Sequence, residues 1–293
     1  MGLVGRSVTR STWESYSRWW ADWELLLRQL SITGAPSEWE AALLFYVGRA
    51  FCERVSPSGL GRRMAALAFW FKVRGVPDGT KSFLVRQAVR GFRKGASSRD
   101  WRKPVTFSLL LRLGSLLAGV CFSVYELCLF RLAFALAFFG AFRISELVSP
   151  SRCRAGGLLF SDVVLVEGVL QCRVRRSKTD QLGRGAVVRL ARLGSSEMCP
   201  VACYSAFLAL RVGIVGPLLV HADGGFLSRF QFVGVFRKCL RAGGFVAEDY
   251  SSHSFRIGAA TEASRWGLGP EMVKQIGRWE SERYRLYVRP HLL

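Results

Sequence analysis

Apolar side chains recur at helical spacing through the first hundred residues of the chain. Trp13, Tyr16, Trp20, Trp23 and Leu27 fall at positions i, i+3, i+7, i+10 and i+14, so they form one continuous face of a helix. Three further helices are predicted, one running from Ser37 to Val47, one around Leu60–Val73 and one around Thr80–Arg93. This part of the chain therefore predicts a bundle of helices with a shared apolar core.

Helical spacing is lost near residue 97 and returns at Thr106, a residue suited to cap the start of a helix. The intervening residues are small, charged or aromatic and show no apolar period. We therefore place a linker at residues 98–105. It separates a helical N-terminal domain, residues 1–97, from a larger C-terminal domain, residues 106–293.

The pattern changes from helical to strand-like in the middle of the C-terminal domain. Three short runs rich in Val and Leu are predicted as strands: Phe160–Val166, Leu170–Arg176 and Ala186–Leu190. The turn Thr179–Gly185 separates the last two, and helical patterns resume near Pro200. The sequence thus predicts a mainly α fold with a small antiparallel β-sheet in its second domain.

The charge of the chain points to an anionic partner. Its 42 Lys and Arg residues outnumber 21 Asp and Glu residues, which gives a formal charge of +21. An excess of this size favours nucleic acid as the partner, because cations on a helical bundle can neutralise the phosphates of a duplex. The candidate DNA-binding residues lie on the later helices of the first domain and are Arg62, Arg63, Lys72, Arg86, Arg90, Arg93 and Lys94.

Other features argue against metals, membranes and secretion. The eight cysteines lack the spacing of a zinc site, and Cys199 and Cys203 are the only close pair among them. The apolar run Leu127–Phe142 is shorter than the roughly 20 residues that span a bilayer, and Arg131 interrupts it, so a buried core helix is expected. The amino terminus lacks the apolar core of a secretory signal. We expect no metal, no cofactor and no membrane contact, and a reducing location in the nucleus or cytoplasm.

Three segments contain the candidate chemistry. His253 and Arg256 share one helix face near its start, a place suited to bind an anion such as phosphate. Arg143 follows a long apolar helix, and Glu146, three residues later, is a candidate partner for it. The third segment, from Gly277 to Tyr287, combines arginines, a tryptophan and two tyrosines.

These segments together resemble the tyrosine recombinases, or phage-integrase family. The pattern comprises an Arg in an Ala-Phe-Arg-Ile-Ser-Glu-Leu context, a Lys in a β-hairpin, His-x-x-Arg, Gly-Arg-Trp and a following Tyr. Three sequence segments are most similar to the recombinases of eukaryotic mobile elements of DIRS and Crypton type: Ser177-Lys178-Thr179-Asp180-Gln181, Gly277-Arg278-Trp279 and Tyr287-Val288-Arg289. The resemblance covers residues 106–289 by motif. Over the first hundred residues it extends only to the architecture of a helical core-binding domain.

The resemblance implies an active site for DNA cleavage and rejoining through a 3′-phosphotyrosine, without metal or ATP. Its residues are Arg143, Lys178, His253, Arg256, Trp279 and Tyr287. Two guanidinium groups can hold the non-bridging phosphate oxygens with forked hydrogen bonds, which a lysine cannot do. Tyr287 is the expected nucleophile, Lys178 protonates the leaving 5′ oxygen, and His253 assists proton transfer.

Two assignments have alternatives. Arg278 or Trp279 fills the family's His/Trp position, since they lie nine and eight residues before Tyr287. Tyr284 is a second phenol in the same segment. We favour Trp279 and Tyr287.

The implied activity is site-specific recombination or integration of a mobile element by a homo-tetramer on two double-stranded DNA sites. One alternative is a type IB topoisomerase-like activity, which uses the same pocket on one duplex. Another is a domesticated DNA-binding protein that kept the fold without catalysis.

Overall fold

The chain divides into two units, one within residues 1–100 and one within residues 101–293. Each has its own hydrophobic core. The structure, a computed structural model, describes residues 3–32, 36–95, 101–175, 185–194 and 196–292.

The first unit is built from helices packed through aromatic side chains. Its α-helices in the described residues are α1 (Leu3–Arg6), α2 (Arg10–Gln29), α3 (Pro36–Cys52), α4 (Pro57–Val73) and α5 (Phe83–Gly95). The apolar face predicted on α2 packs as expected, because Trp23 is fully buried against Tyr46 and Phe71. The same face continues to Trp13, whose ring lies 5.1 Å from that of Trp70 on α4.

The second unit is mainly helical and contains one small sheet. Its α-helices in the described residues are α6 (Phe107–Val120), α7 (Val124–Phe139), α8 (Ile144–Leu147), α9 (Pro200–Leu208), α10 (Arg229–Ala242), α11 (His253–Arg265) and α12 (Pro270–Gly277). The strands are β1 (Val163–Val166), β2 (Val169–Val174) and β3 (Ala186–Leu190). They pair antiparallel in the order β1-β2-β3, with Val163 opposite Cys172 and Leu170 opposite Leu190.

The predicted fold class is confirmed. The predicted first strand was too long, because Phe160–Asp162 forms a 3₁₀ turn in which the Asp162 carboxylate accepts a hydrogen bond from the backbone of Leu159. Lys178 and most of the predicted turn Thr179–Gly185 lie outside the described residues.

Helix α7 forms the centre of the second core. Its residues from Leu132 to Phe138 are all buried, and Phe134 packs against Phe232 and Phe255 at 5.2 and 5.3 Å between ring centroids. The prediction of a buried core helix is therefore confirmed. Among the described residues, no helix combines the length and the apolar character needed to cross a membrane.

Residues 101–105, predicted as part of the linker, are instead attached to the second unit. Lys103 donates its backbone N–H to Asp249, and fully buried Val105 donates to Ser254. Apolar periodicity does not reveal such a segment, since it forms no helix or strand and is held by backbone hydrogen bonds. Residues 98–100 of the predicted linker lie outside the described residues.

Candidate active site

Arg143 is positioned by the sharp turn from α7 into α8. Ala141 takes a positive φ of 41°, and Arg143 precedes the first residue of α8. Glu146 accepts hydrogen bonds from the backbone N–H of Arg143 at 3.0 Å and from its Nη1 at 2.7 Å. The predicted pairing of Arg143 with Glu146 is confirmed, and it fixes both the backbone and the side chain of the arginine.

Arg278 approaches the same carboxylate from the end of α12. It has a left-handed backbone conformation, with φ of 55°, and its side chain returns toward the α7–α8 turn. Its Nη2 donates to Glu146 Oε2 at 2.8 Å, and its Nη1 donates to the Gly140 carbonyl at 2.9 Å. The side chain of Glu146 is only 2% exposed. This carboxylate therefore lies buried between two guanidinium groups.

Arg256, on the first turn of α11, is the most buried arginine of this cluster. It is 1% exposed and donates to the backbone carbonyls of Ala141 and Gly277. Its guanidinium carbon lies 4.4 Å from the ring of Trp279 and 5.5 Å from that of Tyr287. The carbonyls and aromatic faces hold the guanidinium in a fixed orientation.

The charges of this cluster are unbalanced. Arg143, Arg256 and Arg278 surround one carboxylate, Glu146, so three positive charges and one negative charge leave a formal excess of +2. Burial, followed by repulsion from Arg143 and Arg278, lowers the pKa of Arg256 to about 10. Burial also lowers the pKa of Arg278, against the opposing effect of Glu146. Arg256 remains a cation at neutral pH, and an incoming anion would relieve the repulsion.

Tyr287 follows a short 3₁₀ helix, Glu282–Leu286, and lines a cavity of about 920 Å³. Its ring lies 4.8 Å from that of Trp279, and its carbonyl accepts from Thr261 Oγ1 at 3.1 Å. Tyr284, by contrast, is 7% exposed and packs in a small apolar cluster with Ala260 and other residues. Of the two candidate phenols, Tyr287 is the one that lines the cavity.

The other predicted residues are placed as follows. Arg143, His253 and Trp279 line the same cavity as Tyr287, and buried Arg256 lies directly against the Trp279 and Tyr287 rings. His253 is the first residue of α11, and its backbone N–H donates to Ser251 Oγ at 3.2 Å. Lys178 lies outside the described residues.

Solved structures that align with this chain include integrases and recombinases. The Tn1549 transposon integrase in complex with circular intermediate DNA aligns with a TM-score of 0.64 at 13% identity, over 96% of this chain and 90% of that one. A lambda integrase dimer bound to a COC′ core site aligns with a TM-score of 0.62 at 17% identity, over 97% and 90%. The XerH site-specific recombinase bound to palindromic difH aligns with a TM-score of 0.61 at 15% identity, over 87% and 69%. The chain has the fold of the tyrosine recombinases.

The sequence alone gives no comparable match. No protein-family model matches the chain, and no curated protein is significantly similar to it in sequence. The resemblance therefore lies in the tyrosine recombinase fold and in the short motifs.

A second group of predicted residues lines a groove of about 670 Å³ on the first unit. Arg86, Arg90 and Arg93 line it from α5, at spacings of four and three residues that place them on one face. Met64, Ala65 and Ala68 line it from α4, so the opposite wall is apolar. The groove is therefore cationic on one side and apolar on the other.

The remaining candidate DNA-binding residues differ in how exposed their side chains are. Arg62, Lys72 and Lys94 are exposed. Arg63 is instead only 12% exposed, with its Nη1 3.1 Å from Glu53 and its guanidinium carbon 4.4 Å from the ring of Trp19. Its charge is already paired within the first unit.

Several residues of the site had no role assigned to them from the sequence. Arg229 and Arg283 line the cavity and add positive charge to its rim. Arg289 donates its backbone N–H to Thr261 Oγ1 at 3.0 Å and its Nη1 to the Arg102 carbonyl at 2.9 Å, which anchors the chain just beyond Tyr287. The available signal for Arg289 was its place two residues after the phenol.

Among the described residues, no cluster of three or more His, Cys, Asp or Glu side chains is placed to hold an ion. The eight cysteines are all free thiols.

Proposed function

We propose that this protein is a DNA recombinase that cleaves and rejoins double-stranded DNA through a covalent 3′-phosphotyrosine at Tyr287. The observation that carries the proposal is that Arg143, Arg278 and this phenol line one cavity, with buried Arg256 directly beside them. Arg143 and Tyr287 line the cavity, and the Arg256 guanidinium lies 5.5 Å from the Tyr287 ring. A phosphodiester is the anion that combines with a nucleophilic phenol in this way.

The proposed reaction exchanges one phosphate ester for another. Tyr287 Oη attacks the phosphorus and forms a new O–P bond, while the bond to the 5′ oxygen breaks. His253 accepts the phenol proton, and Lys178 supplies the proton that the 5′ oxygen takes up. Because the phosphotyrosine preserves the ester, the reverse attack by a 5′ hydroxyl rejoins the strand without ATP.

The arginines supply the electrostatic part of catalysis. Negative charge builds on the non-bridging oxygens of the five-coordinate phosphorus, and fixed guanidinium donors stabilise it without reorganisation. Arg256 is already held by two carbonyls, and Arg143 is held by Glu146. Trp279, stacked against Tyr287, positions the phenol and contributes to phosphate binding, whereas Arg278 supports Glu146.

The groove on the first unit is the proposed binding site for the DNA backbone. Its exposed arginines are suited to phosphates, an attraction that depends on salt and is largely independent of sequence. The Tn1549 integrase and lambda integrase structures, described as bound to DNA, support duplex DNA as the partner. From the sequence motifs we further propose a homo-tetramer on two sites and integration of a DIRS- or Crypton-type mobile element, within the nucleus.

The test is covalent trapping on DNA. The full chain is incubated with nicked duplexes that carry the sequences flanking its own gene, in EDTA and without ATP. A nick next to the cleaved phosphate releases a short strand and leaves the protein attached, so a denaturation-resistant adduct is expected. Mass spectrometry after nuclease digestion is expected to find the nucleotide on Tyr287.

Two variants decide the assignment. Tyr287→Phe is expected to abolish the adduct, whereas Tyr284→Phe is expected to retain it because Tyr284 is 7% exposed and is not among the residues that line the cavity. An adduct that survives in Tyr287→Phe would overturn the proposed nucleophile. Absence of any adduct, with DNA binding retained, would indicate a non-catalytic DNA-binding protein. Relaxation of supercoiled plasmid without exchange between two sites would indicate a topoisomerase.

A further inference from the structure

Helix α10 is fixed rigidly beside the cavity by its aromatic face. Phe232 and Phe236 are fully buried, and their rings lie 5.5 and 4.7 Å from that of Phe255. Phe255 belongs to α11, the helix that carries His253 and Arg256. The position of α10 is therefore coupled to the residues that hold the phosphate in the proposed function.

The opposite face of α10 is exposed and has an unusual composition. Phe230, Gly234, Arg237 and Arg241 follow one another at spacings of four, three and four residues and so form one stripe. Phe230 is 87% exposed, although a large aromatic ring gains most from burial. A Cβ atom added to Gly234 would meet nothing within 4 Å, so a partner can approach the helix backbone closely there.

This stripe begins at the wall of the cavity. Arg229, the residue before Phe230, lines the cavity together with Tyr287. Its backbone N–H donates to the carbonyl of Ser149, another cavity residue, at 3.3 Å. A duplex whose phosphate enters the cavity must therefore pass close to the first turn of α10.

We propose that α10 enters the major groove next to the cleaved phosphate and that Phe230 contacts the 5-methyl group of a thymine. This inference rests on the proposed function and adds a determinant of sequence specificity to it. A major groove admits an α-helix, and apolar side chains distinguish thymine by its methyl group. A phenyl ring carries no charge for the backbone, so its exposure at this place favours contact with a base. Arg237 and Lys238, exposed further along the helix, are suited to the flanking phosphates.

The first experiment is selection of bound sites from a duplex library with a randomised core. The full wild-type chain is expected to enrich sites with thymine at one fixed position beside the cleavage point. Phe230→Ala is expected to lose the preference at that position and to retain the others. Because Phe230 is 87% exposed, the variant is expected to keep the wild-type melting temperature.

Phe122→Ala is the matched control. Phe122 is 91% exposed in the same unit but precedes α7, whereas the cavity residue Arg143 follows it. The 16 residues of α7 separate the two by about 24 Å. This control is expected to leave the selected sites unchanged.

The second experiment replaces the selected thymine with uracil, which removes only the methyl group. Wild-type affinity is expected to fall about fourfold, the value of one buried methyl group. Phe230→Ala is expected to bind the two duplexes equally. A double-mutant comparison of this kind assigns the methyl contact to Phe230 and to no other residue.

The outcomes separate this inference from the proposed function. If the wild type forms the Tyr287 adduct but Phe230→Ala selects the same sites, α10 does not read the base through Phe230. Equal enrichment of all sequences by the wild type would also overturn the inference, as would a change of oligomeric state in Phe230→Ala with unaltered selection. Loss of the adduct in wild-type protein would instead overturn the proposed function.

Discussion

Arg256 beside the cavity and Arg90 in the groove of the first unit are both proposed to bind phosphate, but their environments in the fold are opposite. Arg256 is 1% exposed and donates to two backbone carbonyls. Arg90 lies exposed on α5, one helical turn from Arg86 and from Arg93. One cation is oriented before the ligand arrives, whereas the other is solvated and can follow the backbone of the duplex.

The difference separates two uses of the same side chain. A buried guanidinium loses its hydration, which here lowers the pKa of Arg256 to about 10, and gains orientation from fixed acceptors. Such a group stabilises charge that appears at one defined position. An exposed guanidinium contributes through release of counterions, so it adds affinity without geometric demand. Substitutions that keep the charge but change the shape are expected to damage the first kind only.

Arg256→Lys is expected to have the largest effect of the substitutions that test this comparison. Lysine keeps the positive charge but lacks the planar fork whose two terminal nitrogens reach the carbonyls of Ala141 and Gly277 separately. We expect adduct formation to slow by at least about 100-fold. Single-turnover cleavage of the nicked duplex measures this rate, and filter binding checks that the affinity for intact DNA changes little.

The matched control for Arg256→Lys is Arg265→Lys, on the same helix. The side chain of Arg265 is 62% exposed, and it lies 3.5 Å from Glu262. We expect less than a twofold change in cleavage. A variant Arg256→Lys that cleaves at the wild-type rate would show that the orientation of this guanidinium is not required.

Glu146→Gln is expected to have a smaller effect, and to lower the cleavage rate without lowering the affinity for DNA. Glutamine fits the same space but removes the negative charge between Arg143 and Arg278, so the two guanidinium groups repel each other. We expect cleavage to slow about tenfold as Arg143 loses its orientation. DNA binding is expected to stay equal or to tighten, because the cavity gains one positive charge.

Separate measurements of affinity and of cleavage rate test this opposition, and thermal unfolding measures the lost stability. A buried ion pair that loses one partner typically costs about 3–5 kcal/mol. Equal loss of affinity and of rate would indicate that the variant disrupts the whole cavity, which would contradict a positioning role for Glu146.

Much of this architecture follows from the sequence because it depends on local periodicity. The aromatic face of α2 and the apolar run of α7 pack as their patterns predict, because their apolar positions are the ones that the fold buries. The pairing of Arg143 with Glu146 was also predictable, because residues three apart at a helix start lie close together.

The parts that were missed depend on backbone geometry and on distant contacts. Arg278 reaches Glu146 only because its own backbone takes the left-handed conformation after α12. Non-glycine residues adopt this conformation rarely, so the sequence gives no sign of it. The segment of residues 101–105 is held by backbone hydrogen bonds to residues about 150 positions away. Arg63 cannot be told from its basic neighbours in the sequence, yet its guanidinium pairs with Glu53 and packs on Trp19.

Arg90→Ala is expected to have the smallest effect of these variants, and Arg63→Ala is its internal control. Removing one exposed phosphate contact is expected to reduce the slope of log affinity against log salt concentration by about 0.9. Arg63→Ala is expected to leave this slope unchanged and to lower stability by about 1 kcal/mol, because its ion pair and its contact with Trp19 are lost. Affinities measured at several salt concentrations on one duplex give both slopes.

If the two variants change the slope equally, exposure in the groove does not distinguish the residues that bind DNA. A slope change confined to Arg90→Ala would instead show that the groove gains affinity from solvated charge, while the cavity depends on oriented charge.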